Sequence, residues 1–569
     1  MTINAMKATT FSNPDYEEWK DTATKSLRGK PFDALITKTI EGIDLQPLYT
    51  EKELIERADG ALAQTIASIR ESKQGTGWII AQQQYAENGE DFVLELKNSI
   101  ERGNEAIVYD GSKPLLWTVH SLKEVAQYMM KYPIFITNIE GNDPFLDVFD
   151  LVPNEDRPTV HGAVFASKWN KPEAYLNLRT MGVDMWDVHH LGADAVTELA
   201  LVLAQASELA TAHDEFSSFA HEFFVRFAVD THFFMEISKI RAFRILWNAF
   251  CSAYGETSTS HIPIWTENSL RSYSKLDPYV NLLRAGNEVF SAVLGGADVV
   301  TVHPHDVLTG PTNVSVRLAR NVQLVIKEET NTEKVLDPSG GSYFIETLTL
   351  ELAEKAWDLF LTIEAAGGYH MYVKNGQLTE LLEQRVSTRK KEIAKGKNSL
   401  IGTNVYADLT TDALDASGGI EVEGRLSEPF ERLRTHFKVE QPTTYLVTFG
   451  ALKDVKPRAD FVSGFLSTGG IRSEWSPSFT DAAAAITWLS VEKPDYVIVC
   501  ASQDVTEEVM DELLKGLPSG ILIDVAGKYD EDHSKKWQDA GLSGFIFNGQ
   551  DKVEKLTEIK NKWKGAEVK

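Results

Sequence analysis

Between Thr76 and Lys374, short runs of β-branched and aromatic residues alternate with stretches whose apolar residues recur at i, i+3 and i+4. Strand runs this apolar need cover on both faces, which a parallel sheet flanked by helices supplies. The candidate strands are GWIIAQQ, EAIVYD, IFITNI, HGAVFA, DMWDV, FFVRFAV, HIPIWTE and DVVTVHP. Eight of them over roughly 300 residues predict a TIM-type (β/α)8 barrel. Alternation alone also describes a large open sheet.

A second series starts near Thr443, with strands at YLVTFG, IRSEW, YVIVCA, GILIDVAG and GFIFNG and helical stretches between them. About five βα units predict a flavodoxin-like, doubly wound C-terminal domain. The chain thus divides into an N-terminal arm (1–75), a barrel (76–374), a linker that is helical and then extended (375–441), and the doubly wound domain (442–569).

The formal charge of −26 argues against a nucleic-acid binder, which needs a basic face, and leaves room for a local basic pocket for a small anion. Cys251 and Cys500 are the only cysteines, too few for a disulfide framework or a cysteine metal site. The N-terminus shows no signal-peptide core, and the most apolar stretch, AVTELALVLAQASELA, is interrupted by Glu198 and Glu208. The expectation is a soluble, cytoplasmic protein without a nucleic-acid or membrane partner.

Polar residues gather at predicted strand ends, where barrel enzymes keep their sites. His303, His305 and Asp306 lie in TVHPHDVLTG, and His189 and His190 in WDVHHLGAD. Neither group has the further ligands a metal needs, so packed or hydrogen-bonded histidines are the simpler reading. Gly340–Gly341 and Gly295–Gly296 read as turns, and RKKEIAKGK as a solvated helix face. No nucleotide-binding glycine loop is present. The first strand-to-helix connection of the C-terminal series, GALKDVKPRAD, reads as a loop with its helix opening near Pro457, and no histidine lies from Thr443 to Gly470.

Taken in series, several segments resemble the cobalamin-dependent acyl-CoA mutases, methylmalonyl-CoA mutase in particular. They are the opening stretch with Trp19, Phe32 and Tyr49, then FFMEISKIRAFRILW, AVLGGADVVTVHPHD, RLARNVQLVIKEET, LDPSGGSYFIETLT and EIAKGKNSLIGTNVY. The resemblance implies a barrel threaded by CoA, joined to a flavodoxin-like cobalamin domain, with the corrin between them and a radical rearrangement begun by cobalt–carbon homolysis. Catalytic members carry Asp-x-His-x-x-Gly in the first loop of the cobalamin domain, the histidine binding cobalt. Here Asp454 stands near that place without a histidine, and only Ala526–Gly527 survives of a Gly-Gly pair further on.

Counting back from DPYVNLLR, Trp265 falls where the family has its catalytic histidine; indole only donates and cannot replace imidazole. Tyr85–Ala86 matches part of a substrate-facing motif, and Asn313 and Val314 stand where acidic cofactor contacts are expected. The resemblance therefore implies a small, non-catalytic subunit of a heterodimeric methylmalonyl-CoA mutase, without catalytic, cofactor or metal ligands of its own. Its partner is a large catalytic subunit that carries adenosylcobalamin, and the N-terminal arm wraps that partner. A self-sufficient mutase with atypical cobalamin binding, or a CoA- or corrinoid-binding regulatory module, are the alternatives.

Overall fold

The computed structural model describes residues 14–256, 261–410 and 418–565, with Ile3 and Lys7. Its first large sheet system has eight parallel strand positions: β1 Ile79–Ala81, β2 Ile107–Asp110, β3 Ile134–Glu140, β4 His161–Ser167, β5 in two pieces (Asn177–Arg179 and Met181–Asp184), β6 Phe223–Val229, β7 Ile264–Asn268 and β8 Val299–Thr301. The ladder runs β1 to β8, β7, β6 and the second piece of β5, while β2, β3, β4 and the first piece of β5 form the other arc. Two features join the arcs. A parallel bridge links Gln83, just past β1, to Val108 of β2. β5 changes neighbour at Thr180, its first piece pairing with β4 and its second with β6. Chain order is therefore ring order, and the sheet closes as the expected barrel.

Packing explains the strand sequences. β6 is buried at every residue, as a strand covered on both faces should be. Gly182 is needed on the inner face, because a Cβ there would lie 2.4 Å from Phe224 Cζ and 2.5 Å from Phe165 Cε1. Side chains at helix starts take up orphan backbone N–H groups: Asn88 accepts from Asp91 N, Asp194 from Thr197 N and Thr312 from Ser315 N.

The second sheet comprises β9 Thr444–Phe449, β10 Glu474–Phe479, β11 Tyr496–Cys500, β12 Leu522–Ala526 and β13 Gly544–Ile546. All pairings are parallel, in the spatial order β10-β9-β11-β12-β13. With β9 counted as the first strand this is 2-1-3-4-5, the flavodoxin-like order. Cys251 and Cys500 are buried free thiols. Among the described residues no helix is long and apolar enough to cross a membrane.

Three local expectations are corrected. DMWDV is not a strand: β5 ends at Asp184, whose carboxylate accepts from Trp186 N at 2.9 Å, and a short helix covers Trp186–His190. Of IRSEW only Glu474 and Trp475 are strand, and β10 runs on from them to Phe479. The helix after β9 begins at Leu452 and contains Pro457, so the connection is Gly450 and Ala451 alone, and Asp454 sits in the first helical turn instead of a loop. Gly340–Gly341 is a turn, with Gly341 at φ +91°, and Gly296 (φ +92°) closes the C-terminus of helix Pro278–Gly295.

Candidate functional site

Trp265 is the second residue of β7 and points into the barrel, 1% exposed. Its ring centroid is 5.2 Å from Phe135 and 6.4 Å from Phe165, and its Nε1 donates to Thr301 Oγ1 at 3.0 Å. Ala81, Ala106, Val108, Ala163, Phe224 and Val299 complete this interior cluster. A cavity of about 840 Å³ opens at the N-terminal pole, lined in part by Trp78, His161, Arg179, His261 and Lys327. It ends against Phe135, Ala163 and Val299, members of the packed cluster.

Above Trp265 lies a polar network that the sequence reading did not assemble. The Arg226 guanidinium binds Asp184 through Nε and Nη2 (2.9 and 2.6 Å) and Glu267 through Nη1 (3.1 Å). It also lies 5.2, 5.5 and 5.8 Å from the rings of Trp265, Trp186 and Phe165, a cation held among π faces. Glu267 Oε2 is 3.1 Å from His303 Nε2, and His303 Nδ1 is 2.9 Å from the Tyr85 hydroxyl. Burial works against both charges, but Asp184 and Glu267 hold Arg226 above the ordinary guanidinium range. Arg226 and His303 likewise hold Glu267 below the ordinary carboxylate range despite its burial. An ionised Glu267 accepts, so His303 carries a proton on Nε2. Burial and the Glu267 charge push the Tyr85 phenol well up. The signal for this network was present: Arg226 is a charge inside the otherwise apolar FFVRFAV.

The other singled-out histidines are structural. His189 bonds Glu198 Oε1 (2.6 Å) and Ser269 Oγ (2.8 Å), while His190 bonds Trp186 O and accepts from Leu270 N. Burial, with Arg271 for His189 and with His189 for His190, pushes both well below the usual imidazole range. His305 stacks on Tyr279. Among the described residues no group of three or more His, Cys, Asp or Glu is arranged to hold a metal.

Two further elements cover the surfaces where a ligand would lie. Residues 418–427 cross the barrel mouth as a strap. Ile420 N donates to Val307 O (3.0 Å) and Leu426 N to Arg271 O (2.9 Å), while Ile420 and Val422 pack on a group that includes Tyr273, Leu308, Tyr85 and Trp186. Glycine is required for this approach: a Cβ on Gly419 would lie 2.2 Å from Leu308 C, and one on Gly424 (φ +77°) 2.1 Å from His190 O. In the doubly wound domain, ligands bind at the carboxyl ends of the strands beside the switch point. There Arg458 Nη1 donates to Ala501 O (2.5 Å) and Ala526 O (3.4 Å) and lies 3.2 Å from the Tyr529 hydroxyl. Gly527, at φ +125°, faces that tyrosine and arginine.

These residues do not fit cobalamin. The two-residue connection after β9 offers no imidazole, Asp454 is tied into a helix, and the guanidinium of Arg458 fills the switch-point crevice. The fold and its filled surfaces define a barrel-plus-doubly-wound protein of the acyl-CoA mutase architecture, with its own side chains where ligands would sit. A family model described as Methylmalonyl-CoA mutase matches residues 164–443, about half of the chain.

Relatives extend the match. The chain is 27% identical over 546 residues to the methylmalonyl-CoA mutase small subunit of Porphyromonas gingivalis, covering 86% of this chain and 88% of the relative. It is 26% identical over 608 residues to the small subunit of Propionibacterium freudenreichii subsp. shermanii, covering 96% and 94%. It is 32% identical over 365 residues to a probable methylmalonyl-CoA mutase small subunit of Mycobacterium tuberculosis, covering 60% of this chain and 58% of that one.

Proposed function

We propose that this chain is the small, non-catalytic subunit of a heterodimeric methylmalonyl-CoA mutase. The large subunit would carry adenosylcobalamin and interconvert methylmalonyl-CoA and succinyl-CoA, while this chain stabilises it by mass action. The observation that carries the reading is the two-residue Gly450–Ala451 connection, which offers cobalt no ligand. The interior around Trp265 supports it, because CoA would have to displace packed rings to thread the axis.

The arm is the proposed contact with the large subunit. Its helix Tyr16–Ser26 has no buried residue, and Trp19 and Phe32 meet edge to face at 6.1 Å as a preformed aromatic anchor. Tyr49, 4.8 Å from Phe344, ties the arm to its own barrel. The chain would work in the cytoplasm, without nucleic acid.

Titration of the purified chain with adenosylcobalamin, followed by its visible spectrum and by succinyl-CoA formation, tests the reading. The expected result is no spectral change and no turnover alone, with turnover on adding a large subunit that has the Asp-x-His-x-x-Gly motif. Turnover by the chain alone would establish a self-sufficient mutase, and tight corrinoid binding without turnover a regulatory module.

A further inference from the structure

Asparagine followed by glycine is the sequence most prone to spontaneous deamidation, because glycine lacks the side chain that would shield its backbone nitrogen. That nitrogen attacks the asparagine Cγ. A Cγ–N bond forms, the Cγ–Nδ2 bond breaks, and Nδ2 leaves as ammonia with the glycine proton. Water then opens the succinimide at either carbonyl, giving aspartate or isoaspartate. No oxidant or reductant is involved, so folding decides which sites react.

The sequence contains three such pairs: Asn88–Gly89, Asn375–Gly376 and Asn548–Gly549. At the first, both groups are engaged: Asn88 Oδ1 accepts from Asp91 N, Gly89 N donates to Leu116 O at 2.9 Å, and Gly89 is buried. At the second, both residues are exposed, but Gly376 N donates to Val373 O at 2.9 Å between two helices. The third pair forms the exposed tip of a turn after β13, with Gly549 at φ +83° and a closing bond from Gln550 N to Phe547 O of 3.3 Å. Positive φ only at the third turn residue marks a type II turn. Among the described residues, nothing hydrogen-bonds the Asn548 side chain or Gly549 N.

We propose that Asn548 is a site of spontaneous deamidation and isoaspartate formation in the folded protein, and that Asn88 and Asn375 are protected. The modification places a new carboxylate beside Phe547, over whose ring Lys528 Nζ stands at 4.5 Å. Isoaspartate also lengthens the backbone where Gln550 Nε2 donates to Phe545 O at 3.0 Å, and so loosens the end of β13.

The test is to incubate the full-length native chain in mildly alkaline buffer and map peptides by mass spectrometry, with electron-based fragmentation to separate isoaspartate from aspartate. Asn548 should convert on the order of tenfold faster than Asn88 or Asn375, since local opening gates the other two. The chain unfolded in denaturant should react at all three sites at similar rates. Asn548→Gln should abolish the acidic species on isoelectric focusing without changing thermal stability. Equal native rates at the three sites, or conversion first at Asn88 or Asn375, would overturn the proposal. So would an unmodified Asn548 in a native chain whose denatured form reacts there.

Discussion

Replacing Trp265 with alanine asks whether the barrel is a packed core or a tunnel. The indole is 1% exposed, contacts Phe135, Phe165 and Arg226, and gives Thr301 its hydrogen bond. A buried Trp→Ala change costs about 3–5 kcal/mol through lost transfer energy and the cavity left behind. The surroundings here cannot collapse to fill it: Phe165 already abuts Gly182, and Arg226 is fixed by Asp184 and Glu267. The upper half of the range, about 4–5 kcal/mol, follows. At about 2 °C per kcal/mol for a large domain, the barrel transition should fall by roughly 8–10 °C. Calorimetry of the full chain reads this, with the doubly wound domain as an internal reference wherever its transition is separate. A loss below about 1 kcal/mol would mean that the ring stands in space already shared with solvent, and the packed-interior reasoning would fail.

Other outcomes follow from the same geometry. Arg226→Met removes the guanidinium partner of the buried Glu267, which keeps His303, and of the part-exposed Asp184, and the denaturation midpoint should report a loss of about 3 kcal/mol. Trp265→His should give no methylmalonyl-CoA turnover with adenosylcobalamin, because the connection after β9 still has no cobalt ligand. Burial holds the Glu236 carboxyl up, at about 7, although Lys239 pulls the other way. A raised carboxyl pKa favours the folded state at low pH, so this contribution fades as pH climbs from about 4.5 through 7. Urea midpoints for Glu236→Gln should therefore vary less than wild type over that window, by up to about 3 kcal/mol. Gly424→Ala should release the strap, and faster hydrogen exchange of residues 418–427 is the readout.

Both sheets could be read from strand composition, because burial on two faces leaves a dense apolar signature. DMWDV misled for a local reason. Its apolar residues suit a strand, but Asp184 accepts from the backbone two residues on and turns the chain into a helix. Pro457 suggested a helix start, yet the helix had already begun at Leu452, so what read as a loop was mostly helix. Of the candidate site, Trp265 and the missing imidazole were visible as residue identities. The Arg226 network was not, because Tyr85, Asp184, Arg226, Glu267 and His303 come from five strands or their ends and meet only once the ring closes. The strap was equally hidden: Gly419 and Gly424 look like ordinary loop glycines until the barrel mouth lies beneath them.

The guanidinium that caps the C-terminal sheet has a consequence for biogenesis. A domain whose crevice is finished by a covalently attached side chain completes its fold without waiting for a vitamin-derived molecule. Under the proposed function, folding of this polypeptide would therefore not depend on corrinoid supply.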